Sequence, residues 1–161
     1  MVTNFSISKA QEYLEKAYYF QLDGNYDEAI KNYQLSIKYF PTAEAHTFLG
    51  RAYSIKGNLE KAMEECRKAI EIDPDYGNPY SDMGAYLIQL GNYDEAITWL
   101  ELALKSKRYE TPQIAHMNLG RAYELKGLWY EAIDEYKTAL EVDPENETAR
   151  NLYFALQGKL N

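Results

Sequence analysis

Residues 84–96 read Gly84-Ala85-Tyr86-Leu87-Ile88-Gln89-Leu90-Gly91-Asn92-Tyr93-Asp94-Glu95-Ala96, and three of these positions recur along the chain. Gly84 has counterparts at Gly50 and Gly120, 34 residues before it and 36 after it. Gly91 recurs as Gly24, Gly57 and Gly127, and Ala96 as Ala29, Ala62 and Ala132. Ile37, Ile70, Leu104 and Leu140 keep the same register, as do Pro41, Pro74 and Pro144, with Arg108 in the vacant place. Seven of the nine glycines therefore fall at two repeat positions, which is the mark of an internally repeated architecture.

Within each unit the apolar spacing is helical. Ala115, Leu119 and Ala122 recur at four and then three residues, and Ile133, Tyr136 and Leu140 at three and then four. Asn25-x-x-Glu28 and Asn92-x-x-Glu95 follow Gly24 and Gly91 as helix starts, and Ser8-x-x-Gln11 is a similar start for the first helix. Pro79 and Pro112 suit first-turn positions behind Asn78 and Thr111, where a missing N–H is harmless. Each unit is thus expected to be a helix, a tight turn through glycine, and a second helix stopped near a proline.

This pattern resembles the tetratricopeptide repeat, W-x2-L-G-x2-Y…A-x3-F…P over 34 residues. Repeat 2 carries His46, Leu49-Gly50, Tyr53, Gly57, Ala62, Cys66, Ala69 and Pro74. Repeat 3 carries Tyr80, Met83-Gly84, Leu87, Gly91, Tyr93, Ala96, Leu100 and Ala103. Repeat 4 carries His116, Leu119-Gly120, Tyr123, Gly127, Trp129, Ala132, Tyr136, Ala139 and Pro144. Repeat 1 is looser, with Tyr13, Ala17, Phe20, Gly24, Tyr26, Ala29, Tyr33, Ser36 and Pro41. No unit has the motif's first Trp, Leu128 replaces a capping Asn, and repeat 3 ends without proline. The stretch from Lys105 to Thr111 contains a two-residue insertion, which is expected to loosen or tilt the junction of repeats 3 and 4.

The resemblance implies an all-α fold, an α-solenoid in the form of a right-handed superhelix with a concave inner face. The expected organisation is one domain over 1–161. It has an extension at 1–9, repeats at 10–42, 43–76, 77–112 and 113–145, and a capping helix at 146–161. Ala149, Leu152, Tyr153 and Leu156 give that last helix an apolar face, and Gly158 offers a stop.

Composition bounds the function. The 161 residues are 46% hydrophobic, enough for a sizeable core, and a net charge of -8 argues against general binding to nucleic acid or a membrane surface. No stretch approaches the roughly 18 continuous apolar residues of a membrane span. The start, Met1-Val2-Thr3-Asn4-Phe5, has no basic segment leading into an apolar run, so no signal peptide is expected. A single cysteine, Cys66, fits a reducing compartment, and the cytoplasm is the expected location.

Few residues carry catalytic chemistry. His46 and His116 occupy the repeat position where the motif has Trp, and are read as core-facing rings; Cys66 falls in a packing slot. Neither histidine has a nearby metal box, so no metal or cofactor is expected. Asp73-Pro74-Asp75-Tyr76-Gly77 lacks the glycine register and terminal glutamate of a calcium loop and is read as a turn. Asp27-Glu28 and Asp94-Glu95 stand at helix N-termini, where the dipole favours them. An enzyme is not expected.

On the first helix of each unit, positions 2, 5, 9 and 12 share one side. By resemblance this side lines the groove that docks extended peptides or partner helices. The candidates there are Leu14, Tyr18, Thr47, Arg51, Ser81, Ile88, Met117, Arg121 and Glu124. The expected ligand is a protein or peptide with an apolar anchor near Leu14 and Tyr18 and acidic groups toward Arg51 and Arg121, unless those arginines pair with Glu44 or Glu124. The family's chaperone-binding carboxylate clamp is matched in neither register, since repeats 1–3 offer Leu14, Tyr18, Phe48, Asn78 and Asp82 at its places. The rival reading is self-association to a homodimer through Phe154, which stands off the apolar face of the closing helix.

Overall fold

The computed structural model describes residues 3–160, and Met1, Val2 and Asn161, assigned above to the terminal segments, lie outside the described residues. Among the described residues are nine helices and no β-strand. The chain forms two compact units, Met1–Pro74 and Asp75–Asn161.

The first unit contains α1 (Asn4–Leu22), α2 (Tyr26–Tyr39), α3 (Ala43–Ile55) and α4 (Leu59–Ile72). Its core is built from Ala17, Ala29, Tyr33, Leu49 and Ala52, with Leu14, Phe20, Ile37 and Phe48 packed around them. Small residues let the helices approach: a Cβ at Gly50 of α3 would stand 3.0 Å from the carbonyl oxygen of Ala62 on α4. At Gly57, which turns α3 into α4, φ is +80°, a left-handed conformation that a side chain resists; Gly24 does the same between α1 and α2.

Two expectations for this unit are corrected. α1 begins at Asn4 rather than near Ser8, because the Thr3 side chain accepts a hydrogen bond from the Ser6 N–H and caps the helix there. The residues expected as an extension are therefore mostly helical, and Phe5 meets the Tyr39 ring edge-on at 6.5 Å. At the start of α2, Asn25 Oδ1 accepts from the Glu28 N–H at 3.3 Å, but the Glu28 carboxylate pairs with Lys31 instead of reaching back.

The second unit contains α5 (Asn78–Gln89), α6 (Tyr93–Lys105), α7 (Pro112–Leu125), α8 (Trp129–Val142) and α9 (Glu147–Leu160). A Cβ at Gly84 would lie 2.5 Å from Leu100 Cγ, so α5 and α6 meet where the sequence has its glycine. Gly120 of α7 likewise makes room for the fully buried Tyr136 ring of α8. α9 closes the unit by burying Ala149 and Leu156, the latter beside Ala132 and Tyr136. It continues through Gly158 to Leu160, so that glycine does not stop it. The N-cap of α5 is Gly77, not Asn78, and Asn92 makes no side-chain cap bond. Leu128 caps α8 without one either, as its side chain requires.

The insertion before α7 is tied back onto the segment that precedes α5. Residues 75–77 and 108 form an isolated parallel bridge, with the Gly77 N–H donating to the Arg108 carbonyl and the Arg108 N–H to the Asp75 carbonyl, each at 2.9 Å. The Arg108 guanidinium lies 4.1 Å from the centre of the Tyr76 ring, and Lys107 pairs with Asp75 at 3.0 Å. Tyr109 covers Gly77 and donates its hydroxyl to Ser81 Oγ at 3.0 Å. The two extra residues let the backbone double back as a strap.

Candidate functional site

In the first unit, the exposed side of α1 and the facing side of α3 enclose a pocket of about 220 Å³ lined by Leu14, Glu15, Tyr18, Tyr19 and Phe48. Leu14 is half-buried because it also packs on the core, while Tyr18 is 48% exposed. Phe48 is backed by the fully buried Tyr33, whose ring stacks on it at 6.0 Å and 17°. The Arg51 guanidinium lies 5.7 Å from the Phe48 ring centre, which places a cation beside the apolar opening.

Tyr33 joins these groups underneath. Its hydroxyl donates to Gln21 Oε1 at 2.9 Å. Burial, with a smaller push from Tyr18, drives its phenol up to about 12 against the opposing charge of Arg51. The hydroxyl is therefore a neutral donor beneath Phe48.

Three expected groove residues are not on an open surface. Thr47 is fully buried and donates its hydroxyl to the Ala43 carbonyl of its own helix at 2.7 Å. Ser81 is buried and holds the Tyr109 hydroxyl, and Ile88 is buried too. In the second unit α7 presents Met117 half-buried, Arg121 exposed and Glu124 half-buried. Glu124 is engaged by Tyr136 OH at 3.0 Å and by Lys159 of α9 at 3.1 Å, rather than by Arg121. The structure thus gathers Leu14, Tyr18 and Arg51 around Phe48. Phe48 and Tyr19 were missed because neither falls on the 2-5-9-12 side of its helix. Tyr19 stands next to Tyr18 in the sequence, which was the available signal; Phe48, thirty residues on, had none.

The histidines lie between helices, as expected. His46 Nδ1 stands 2.5 Å from Glu65 Oε2, and His116 Nδ1 stands 2.7 Å from Glu135 Oε2. Cys66 is buried. Among the described residues no cluster of three or more His, Cys, Asp and Glu is placed to hold a metal ion. No described helix is long and apolar enough to cross a membrane.

Tetratricopeptide repeat profiles match residues 43–76, 65–98 and 113–146, together more than half of the chain. The chain is 31% identical over 102 residues to the Hsp70-Hsp90 organizing protein 3 of Arabidopsis thaliana, a match that covers 63% of this chain and 18% of that protein. It therefore spans under a fifth of that relative's length. Among solved structures it resembles PilF of Pseudomonas aeruginosa, with a TM-score of 0.89 at 20% identity over 97% of this chain and 71% of the other. At such identity the likeness shows the fold alone, an all-α solenoid of paired helices. A structure described as the first repeat domain of Spaghetti (RPAP3) bound to the HSP90 peptide SRMEEVD is similar at a TM-score of 0.68 and 22% identity, over 73% of this chain and 94% of that one.

Proposed function

Because this chain belongs to the tetratricopeptide repeat family, we propose that it is a non-enzymatic interaction scaffold, in the cytoplasm, that holds a segment of a partner protein against α1 and α3. The observation that carries the reading is the pocket of Leu14, Tyr18, Tyr19 and Phe48 with Arg51 at its side. An extended segment would seat an apolar side chain in it and turn an acidic group toward Arg51. In the second unit, Arg121 is exposed on α7 and is by itself a candidate contact for an acidic group. A relative whose structure holds an acidic peptide supports a peptide as the class of ligand. The clamp pattern is absent from this sequence, so the anchor here is apolar rather than a pair of lysines.

The test is capture of partners from the native lysate on the wild-type chain, on Tyr18→Glu and on Arg121→Glu, with helicity checked by circular dichroism. Tyr18→Glu is expected to weaken capture about tenfold, because it sets a charge in the wall of the apolar pocket. Capture indifferent to Tyr18→Glu in a folded protein would remove the pocket from the proposal.

A further inference from the structure

We infer that the α1/α3 pocket of one chain receives Phe154 from the α9 helix of a second copy, so that the protein self-associates head to tail. This rests on the pocket being a docking site, as proposed above, and assigns it an occupant.

Both halves of the contact are exposed and differ in shape. Phe154 is 60% exposed and meets Tyr153 edge-on at 5.3 Å. Around it the outward side of α9 is small, with Asn151, Ala155 and Gly158 all exposed. Phe154 is the aromatic knob of this face, beside the half-buried Tyr153 and one turn after the exposed Arg150. On α1 the large groups Ile7, Leu14, Tyr18 and Leu22 recur at seven, four and four residues, so they share one stripe. Large side chains on one helix against small ones on the other permit the close approach that knobs-into-holes packing needs. A pocket of about 220 Å³ also accepts a phenyl ring, since an apolar cavity of about 150 Å³ is enough for benzene.

One pair of opposite charges, Glu15 and Arg150, is available to the contact. Glu15 lines the pocket, and its carboxylate accepts from the Gln11 amide at 3.0 Å. Arg150 stands one helical turn before Phe154 and donates to the Pro144 carbonyl at 2.7 Å. Lys159, the other cation of α9, is committed to Glu124. On a chain of net charge -8, α9 carries two basic residues and one acidic. With Phe154 seated between Leu14 and Tyr18, Arg150 comes to the Glu15 rim. The aromatic anchor supplies most of the affinity, and the rim pair sets the orientation. The pocket and the knob are different surfaces of one chain, so each copy can offer one of each.

Sedimentation equilibrium of the full chain over a wide range of concentrations tests this. The mean mass is expected to rise above that of one chain. Phe154→Glu and Tyr18→Glu should each weaken association at least about tenfold. Arg150→Glu should weaken it, and adding Glu15→Arg to the same chain should restore it. An equimolar mixture of the Phe154→Glu and Tyr18→Glu chains should recover association, because one supplies a pocket and the other a knob. A wild-type chain that stays monomeric overturns the inference. So does a Phe154→Glu chain that associates normally, a charge swap that restores nothing, or a mixture that does not recover. Phe154→Glu keeps partner capture under the proposed function. A monomeric wild type whose capture still needs Tyr18 would therefore sink the inference and spare the docking site.

Discussion

The imidazole of His46 and the carboxylate of Glu65 meet at 2.5 Å with both side chains buried, so a polar pair joins α3 to α4 where the repeat motif has an apolar ring. The Lys68 ammonium stands 2.9 Å from the other carboxylate oxygen. The pair recurs in the second unit between His116 and Glu135, at the same separation of nineteen residues and with more exposure.

Glu65→Ala strands a buried imidazole and is expected to lower the unfolding free energy by about 3 kcal/mol. Glu135→Ala, at the more exposed pair, should lower it by about 1 kcal/mol. Urea denaturation of both variants checks the ranking. Equal effects would show that burial does not govern these pairs.

The same carboxylate predicts an acid dependence. Burial pushes Glu65 up, but hydrogen bonds from His46 and Lys68, together with their charges, outweigh it and hold the group below its ordinary value of 4.5. A folded value below the unfolded one means that its stabilisation is present above pH 4.5 and is lost as pH falls through the folded value. Glu65→Gln should therefore flatten the fall in stability between neutral and acid pH, read as melting temperature against pH.

Tyr33 works in the opposite sense. Its phenol is raised to about 12, so its contribution is complete below pH 10 and lost as pH rises toward 12. Tyr33→Phe should cost about 1 kcal/mol at neutral pH through the lost bond to Gln21. It should also reduce the alkaline loss of stability. An unchanged alkaline limb would contradict the assignment.

Close packing predicts the effect of a single methyl group. Gly84→Ala drives its Cβ to 2.5 Å from Leu100 Cγ and should destabilise by about 1–3 kcal/mol. Gly158→Ala, with open space around it inside α9, should be neutral or slightly stabilising. Thermal melts that fail to separate the two would place the α5–α6 contact elsewhere.

The strap between α6 and α7 predicts hydrogen exchange. The amides of Gly77 and Arg108 both donate within it and should exchange far more slowly than exposed loop amides. Tyr109→Ala removes the ring over Gly77 and the bond to Ser81 and should release both amides. Fast exchange in the wild type would restore the loose junction expected from the insertion alone.

Much of the architecture is legible in the sequence. A glycine at φ +80° and a side chain that must be absent at a helix crossing are local demands, so Gly57, Gly91 and Gly84 announce turns and contacts by their spacing. The apolar end of the site was legible in part, through Leu14 and Tyr18, because helical spacing says which side chains share a face. Spacing does not say what lies opposite that face.

The sequence by itself determined the paired helices, their turns and the small residues that let them pack, because helix period and backbone conformation act over a few residues. Only the tertiary structure decided which faces stay open. Ser81 is covered by Tyr109 from 28 residues on, Glu124 is taken by Lys159 from 35 on, and Phe48 reaches the α1 pocket because Tyr33 of α2 backs it. Those outcomes depend on side chains brought together from distant parts of the chain, and no local period encodes them.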